Sequence, residues 1–423
     1  MPDSNNQTDS GLPAIVGGSP AKGVPFGKVR RYGDEELQEL REALEQETLF
    51  YTSGRKVRQV EQEFASKNGI RFAVACNSGT AAIHAALIAI GVSPGDEIIT
   101  APITDMGTVI PILYQGAVPI FADLDPRTIT LSPAAVEMAI TPRTKAVIAI
   151  NLLGNSCDLD SMQEICDRHG LALIEDCAQA LGASYKGCPV GTRGLIGCFS
   201  LNEYKHISCG DGGIVVTDDE ALASRLRLST DKAYNRQPNA AMRHPTFLAG
   251  NYRMTELQGA VALAQLRKLD SIVERRRKWC GELSKRLNGL PGLHLPTPTP
   301  GCNPSWWMYP FQVDSKELGA DADVFAAALR AEGLPAAAHY IGACVYEYPI
   351  FLNHSAFDRG EHAYTRQEYR KGLCPEAERI LRDVVMLSVN EAYTDIDLEQ
   401  TELAIRRVTG WYAAGRDSDD HRA

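Results

Sequence analysis

No apolar run in this chain is long enough to span a membrane, which argues against a helical anchor within it. The 11 cysteines contain no CxxC pair and no repeating spacing. That pattern speaks against a disulfide frame or a zinc site and reads as reduced thiols in a cytosol. Basic charge is not in excess: Lys plus Arg is 43, Asp plus Glu is 53, and the formal net charge is -10. An acidic balance disfavours nucleic acid or an anionic membrane as the main partner. No GxGxxG follows the first strand candidate, so a nicotinamide-dinucleotide enzyme has little support. The N-terminus, Met1 to Gln7, lacks both a basic n-region and an apolar h-region; no signal peptide is expected, and the expected location is cytoplasmic. Internal repeats are absent, and low-complexity sequence is confined to the two ends.

What is present is an ordinary globular composition, 44% hydrophobic and 23% charged over 423 residues, enough for one large and one small domain. Short apolar runs alternate with amphipathic segments. Strand candidates are Phe72 to Ala75, Glu97 to Thr100, Pro119 to Ala122, Ala146 to Ile150, Leu171 to Ile174, Gly197 to Leu201 and Gly213 to Thr217. Helices are expected between several of them, such as Gly79 to Ile90 and Leu159 to Arg168. The fold class is therefore α/β, a mostly parallel sheet covered on both faces. Residues 1–30 read as a flexible N-terminal arm, 31–270 as a large domain and 271–423 as a smaller α/β domain, disordered after about residue 412. A helix over Asp218 to Ser229 would be N-capped by Thr217 or Asp218. A long helix from Thr255 to about Leu287 would bridge the two domains.

Three segments carry chemistry. Cys76 to Ala82 follows a strand and opens a helix, where small residues and a helix N-terminus suit a phosphate, though a plain N-cap fits as well. Asp176 closes the apolar run Leu171 to Ile174 as a carboxylate at the end of a buried strand; alone it could be a cap or turn residue. Lys205 stands between Phe199-Ser200 and the tight turn Gly210-Asp211-Gly212-Gly213. A lysine flanked by buried strand can lose its proton and attack a carbonyl. Cradle, acid and amine in this order are what pyridoxal 5'-phosphate (PLP) asks for: a Schiff base on its aldehyde and a partner for its pyridine nitrogen. No metal site is expected.

On these motifs the chain resembles the DegT/DnrJ/StrS family of PLP-dependent sugar and cyclitol aminotransferases, of aspartate-aminotransferase fold type I. The resemblance spans roughly Ala14 to Trp411. It is carried by Asn77 to Ala82, Gly116 to Pro119, Glu175 to Ala180, Phe199-Ser200 with Lys205, Gly210 to Gly213, and Gly250 to Met254. It implies that Lys205 is the Schiff-base lysine, Asp176 the pyridine-nitrogen partner and Gln179 the neighbour of the ring hydroxyl. It implies phosphate contacts from Gly79, Thr80 and Ser200 and a cofactor-binding place for Ser78, with Asn251 reaching the phosphate of a neighbouring subunit, so that active sites are shared in a homodimer. Relatives carry an aromatic over the ring where this chain has Asp105; either Met106 or another side chain covers the ring, or this branch binds the ring differently. Tyr204, Arg253 and His339 are expected on the substrate side. Dehydratase branches replace the lysine with histidine; here the lysine is kept, and His206 beside it reads as a local hydrogen-bonding residue.

The implied reaction moves an amino group from glutamate or glutamine to a nucleotide-linked keto sugar or a keto cyclitol. The opening Ala14 to Pro20 resembles cyclitol and ring-precursor branches, which keeps an aminohydroxybenzoate-type synthase open. So does a third possibility stay open: a PLP-binding regulator that has lost turnover, for which Asp105 is the signal. A spectral change on adding glutamate or glutamine discriminates enzyme from regulator.

Overall fold

The alternation read from the sequence folds as a seven-stranded sheet. The computed structural model describes residues 11–236, 244–358 and 362–415. The strands are β1 (Phe72–Cys76), β2 (Glu97–Thr100), β3 (Val118–Phe121), β4 (Thr144–Ile150), β5 (Ala172–Asp176), β6 (Ile196–Ser200) and β7 (Gly213–Thr217). Their spatial order is β1-β7-β6-β5-β4-β2-β3. All neighbours are parallel except β7, which runs antiparallel to both β1 and β6. Successive residues serve opposite faces. Ile99, Val147, Leu173 and Phe199 enter one buried cluster. Ile98, Ile148, Ile174 and Cys198 enter the other. Burial on both faces explains why these strands read as continuous apolar runs.

The helices that position the site are α1 (Asp34–Glu45), α2 (Lys56–Asn68), α3 (Gly79–Ala89), α4 (Met106–Tyr114), α5 (Leu159–His169), α6 (Glu220–Ser229) and α7 (Glu256–Leu287). Thr255 begins α7 with a capping box closed by Gln258. Its first half packs Leu263, Leu266 and Leu269 into the large core. Its second half gives Trp279, Leu283 and Leu287 to a separate core, which lies on an antiparallel sheet of β8 (Leu293–His294), β9 (Met308–Val313), β10 (Ala336–Ala338) and β11 (Val384–Ser388) in the order β8-β9-β11-β10. The later segment bearing Val345, Tyr346, Phe351 and Tyr369 packs with the large core.

Two expectations change. The N-cap of α6 is Asp219, whose side chain accepts from Leu222 N–H; Thr217 is still in the strand, and Asp218 instead accepts from Arg71 N–H at 2.7 Å. The N-terminal arm is not loose over its described part. The buried carboxylate of Glu332 accepts from Ala14 N–H at 2.8 Å and Ala21 N–H at 2.7 Å, and Lys22 pairs with Asp397 at 2.7 Å with both side chains buried. The helix Asp395–Ala413 continues past residue 412, and residues 416–423 of the expected tail lie outside the described residues. No helix among the described residues is long and apolar enough to cross a membrane.

Candidate active site

The carboxyl ends of the parallel strands meet at one edge of the sheet, where open α/β folds place their ligands. β1 delivers Cys76 there, β5 Asp176 and β6 Ser200. The first component is a cradle. Ser78 caps α3, its Oγ accepting from Ala81 N–H at 3.1 Å. A Cβ on Gly79 would lie 2.8 Å from the Ser200 Cβ, and one on Gly107 would lie 2.7 Å from Thr80 Oγ1. The N-termini of α3 and α4 therefore close on Ser200 and Thr80 with two glycines at the points of contact. Two helix N-termini with small side chains favour an anion. Ser78 reaches this cradle as its cap, so its hydroxyl is already committed.

Asp105 is the N-cap of α4, accepting from Gly107 N–H at 2.7 Å, and it is exposed. Met106 packs against the large core. One turn on, Thr108 donates to Asp176 Oδ2 at 2.7 Å and shares a 2.8 Å hydrogen bond with Thr104. Asp176 Oδ1 accepts from Ala178 N–H at 3.0 Å. Burial pushes the Asp176 carboxyl above the usual range; the two donors and the nearby Lys205 pull it back only in part. The adjacent Glu175 points to the other face of the strand. It is a structural carboxylate, accepting from the N–H groups of Gly191, Arg193 and Gly194 at 2.6 to 2.8 Å.

Lys205 lies in the loop between β6 and β7. Its Nζ sits 4.3 Å above the Trp307 ring, and the Trp307 indole N–H donates to the Tyr204 carbonyl at 2.7 Å. Burial pushes the Lys205 amine down, opposed by the charges of Asp176 and Asp105. A depressed amine near a buried acid suits a lysine that must be neutral to attack a carbonyl. Gln179 accepts from Leu153 N–H at 3.0 Å and donates to the Tyr340 hydroxyl at 2.9 Å. Tyr340 packs edge-on to Trp307, with ring centres 6.5 Å apart. Lys205, Trp307, Tyr340 and Gln179 thus form one continuous wall.

The cradle a Cβ would fill, the buried acid and the depressed amine fit PLP. Gly79, Thr80 and Ser200 at the cradle, with Asp176, Gln179 and Lys205, are the residues that could hold it.

The structure does not bring all expected residues together. His339 is turned away: its Nε2 meets Asp323 at 2.8 Å and its Nδ1 the Leu381 carbonyl at 2.9 Å. The next residue, Tyr340, faces the site instead. Both have positive φ, 64° and 46°, so the chain reverses at this pair. Tyr204 is 79% exposed and contributes its carbonyl to Trp307. Arg253 is spent on Asp231 at 2.5 Å, a carboxylate also held by Arg236 and Tyr51. The side chain of Asn251 is exposed. Its backbone pairs with Asp231 while Arg253 pairs with Cys76, so the segment runs beside its own chain's cradle. Thr255 caps α7. His206 is buried, its Nε2 on the Ser305 carbonyl at 3.1 Å. Sequence reasoning missed Trp307, Thr108 and the role of Tyr340. Thr108 alone had a local signal, since it lies four residues after Thr104 at the start of α4.

The same segment creates a pH-sensitive joint. His84 of α3 bonds the Tyr252 hydroxyl through Nδ1 and Gln115 through Nε2, both at 2.7 Å. Burial pushes its pKa down to about 4. A depressed histidine binds its proton more readily in the unfolded chain, so its contribution is complete above about pH 6.5 and is lost as pH falls from there toward about 4. Unfolding free energy should fall by about 1 kcal/mol per pH unit across that window from this residue. Denaturant melts at pH 7, 6 and 5 check it: His84→Gln should flatten the slope, and an unchanged slope refutes the assignment.

A family model described as DegT/DnrJ/EryC1/StrS aminotransferase family matches residues 30–405. The spore coat polysaccharide biosynthesis protein SpsC of Bacillus subtilis (strain 168) is 34% identical over 385 residues, covering 89% of this chain and 95% of that protein. The structure of DesV from S. venezuelae superposes with a TM-score of 0.78 at 32% identity, covering 89% of this chain and 94% of that one. That of 3-amino-5-hydroxybenzoic acid synthase gives 0.80 at 28% identity, covering 93% and 99%.

Proposed function

Since the chain belongs to the DegT/DnrJ/EryC1/StrS aminotransferase family and is a PLP-dependent aminotransferase of fold type I, we propose that it aminates a nucleotide-linked keto sugar, with glutamate or glutamine as donor. The observation that carries this reading is the wall of Lys205, Trp307, Tyr340 and Gln179 facing Asp176 and the phosphate cradle. The sugar assignment draws on SpsC, named for polysaccharide biosynthesis, and on DesI, solved with its TDP-sugar product and 28% identical with a TM-score of 0.79. PLP supplies an aldehyde for the amine and a ring that takes up electrons from the carbon losing its proton. Lys205 would hold that aldehyde and, as a free amine, would move the proton at the reacting carbon. Asp176 would keep a proton on the ring nitrogen. Trp307 and Tyr340 cover the amine against water. The test is a panel of keto acceptors given to protein pre-reacted with glutamate or glutamine. Turnover of a keto sugar linked to a nucleotide is expected. Turnover of keto cyclitols alone overturns the sugar assignment. Selective turnover of a ring precursor favours the second reading, which the likeness to 3-amino-5-hydroxybenzoic acid synthase supports.

The working unit in this reading is a cytoplasmic homodimer with shared sites, in which the exposed Asn251 side chain reaches the phosphate of the neighbouring subunit. Mixing Lys205→Ala with Asn251→Ala subunits should recover activity, because each heterodimer would contain one intact site. Activity near zero with subunit exchange verified would assign Asn251 to its own chain's cradle, beside which its backbone runs.

A further inference from the structure

The loop that carries Lys205 is gripped from outside the catalytic wall. On one side of the lysine, Arg31 Nη1 donates to the Glu203 carbonyl at 2.5 Å, and the Tyr32 hydroxyl donates to Glu203 Oε2 at 2.5 Å. The contacts join segments 172 and 171 residues apart. Burial and the Glu203 carboxylate push the Tyr32 hydroxyl upward, so it remains a donor at neutral pH. On the other side of the lysine, Ser208 Oγ donates to the same Glu203 oxygen at 3.1 Å and accepts from Gly210 N–H at 2.9 Å. Glu203 and Ser208 are thereby tied across the loop, with Lys205 between them. The tie is anchored below: buried Gln265 of α7 accepts from Ser208 N–H at 3.3 Å and donates to the Arg31 carbonyl at 2.8 Å. Within the loop, the backbone adds Leu201 N–H to the Gly212 carbonyl at 2.8 Å, Lys205 N–H to the Asn202 carbonyl at 2.9 Å and Cys209 N–H to the Leu201 carbonyl at 3.1 Å.

We infer that Tyr32 and Glu203 are positioning residues for the aminotransferase: through the Glu203–Ser208 tie they set where the Lys205 amine stands over Trp307. Neither touches the reacting atoms. The inference takes the role of Lys205 from the family reading and adds residues that its motifs do not contain. The physical reason is reach. An amine that must attack a carbonyl and then pass a proton has to hold its place to a fraction of an ångström, and a lysine stem on an untied loop does not. Two hydrogen bonds to one carboxylate oxygen from the two sides of the site supply the restraint.

The experiment uses the PLP-loaded full chain with Tyr32→Phe, which removes one hydroxyl, and Glu203→Gln, which keeps the shape and removes the carboxylate. Three quantities are read: the thermal midpoint, the pH titration of the bound cofactor's visible absorbance, and kcat and KM for the donor half-reaction. The positioning role predicts a titration midpoint moved by about half a pH unit or more and kcat lowered about tenfold at unchanged KM, the low end of a disturbed proton transfer. The thermal midpoint should move by no more than a few degrees, as for loss of one part-exposed hydrogen bond. Wild-type titration and kcat in both variants would overturn the inference. If Tyr32→Phe melts early, Glu203→Gln decides. If the wild-type protein binds PLP but turns over no donor, the functional reading falls, while the absorbance titration still tests the tie.

Discussion

Replacing Lys205 with alanine is expected to abolish transamination and leave the fold standing. The amine has two tasks, holding the aldehyde and moving a proton, so the loss should reach at least about 10⁴-fold, the upper range for a removed acid-base group. The stability cost should be small. Lys205 is half-buried, and the contact it gives up is with Trp307 at 4.3 Å, worth about 0.5–1 kcal/mol where solvent has access. Trp307 stays in place because its indole N–H is held by the Tyr204 carbonyl. The check is borohydride reduction of the variant after removal and re-addition of PLP. No lysine adduct should form. A reducible adduct would mean that another amine does this work. Lys205→Arg should fail equally, since a guanidinium stays charged and cannot form the linkage.

The places of Asp176 and Lys205 were legible because their signals are local. A strand buried on both faces reads as an unbroken apolar run, and the two acids after it mark its approach to the end, where Asp176 is the last residue of β5. A lysine before Gly-Asp-Gly-Gly could be placed on a bent loop because β7 must turn antiparallel at once, and a Cβ on Gly213 would fall 2.2 Å from the Ser78 carbonyl oxygen. The remainder depends on closure of distant parts. Trp307 arrives from beyond α7, and nothing around it in the chain marks an aromatic destined for a lysine. His339 and Tyr340 are neighbours, and only the reversal at that pair decides which one faces the ring site. Arg253 was expected on the substrate side because its partner, Asp231, lies 22 residues away in the chain. Glu175 and Asp176 are alike in sequence; strand alternation sends one to the amides of Gly191 to Gly194 and the other to the catalytic edge.

Changing Asp176 to asparagine should lower turnover by roughly 10²-fold or more, the scale of a lost catalytic charge or proton interaction, while weakening cofactor binding less. The geometry permits a clean substitution. The asparagine carbonyl can still accept from Ala178 N–H, now at 3.0 Å. Thr108 can turn its hydroxyl, because Thr104 stands 2.8 Å away as an alternative partner. What disappears is the charge. Burial already pushes the Asp176 carboxyl upward, and two donors with Lys205 do not fully restore it. In the proposed reaction a proton on the pyridine nitrogen and the charge on Asp176 would stabilise each other. Asparagine would break that mutual support from one side, leaving the ring nitrogen without the charge that favours its proton. The cradle at Gly79, Thr80 and Ser200 is untouched, so PLP should still be retained. The measurement is the single-turnover rate with saturating donor beside a PLP-binding titration. A wild-type rate in Asp176→Asn would remove this residue from the mechanism. Equal losses in rate and binding would reduce its role to holding the cofactor.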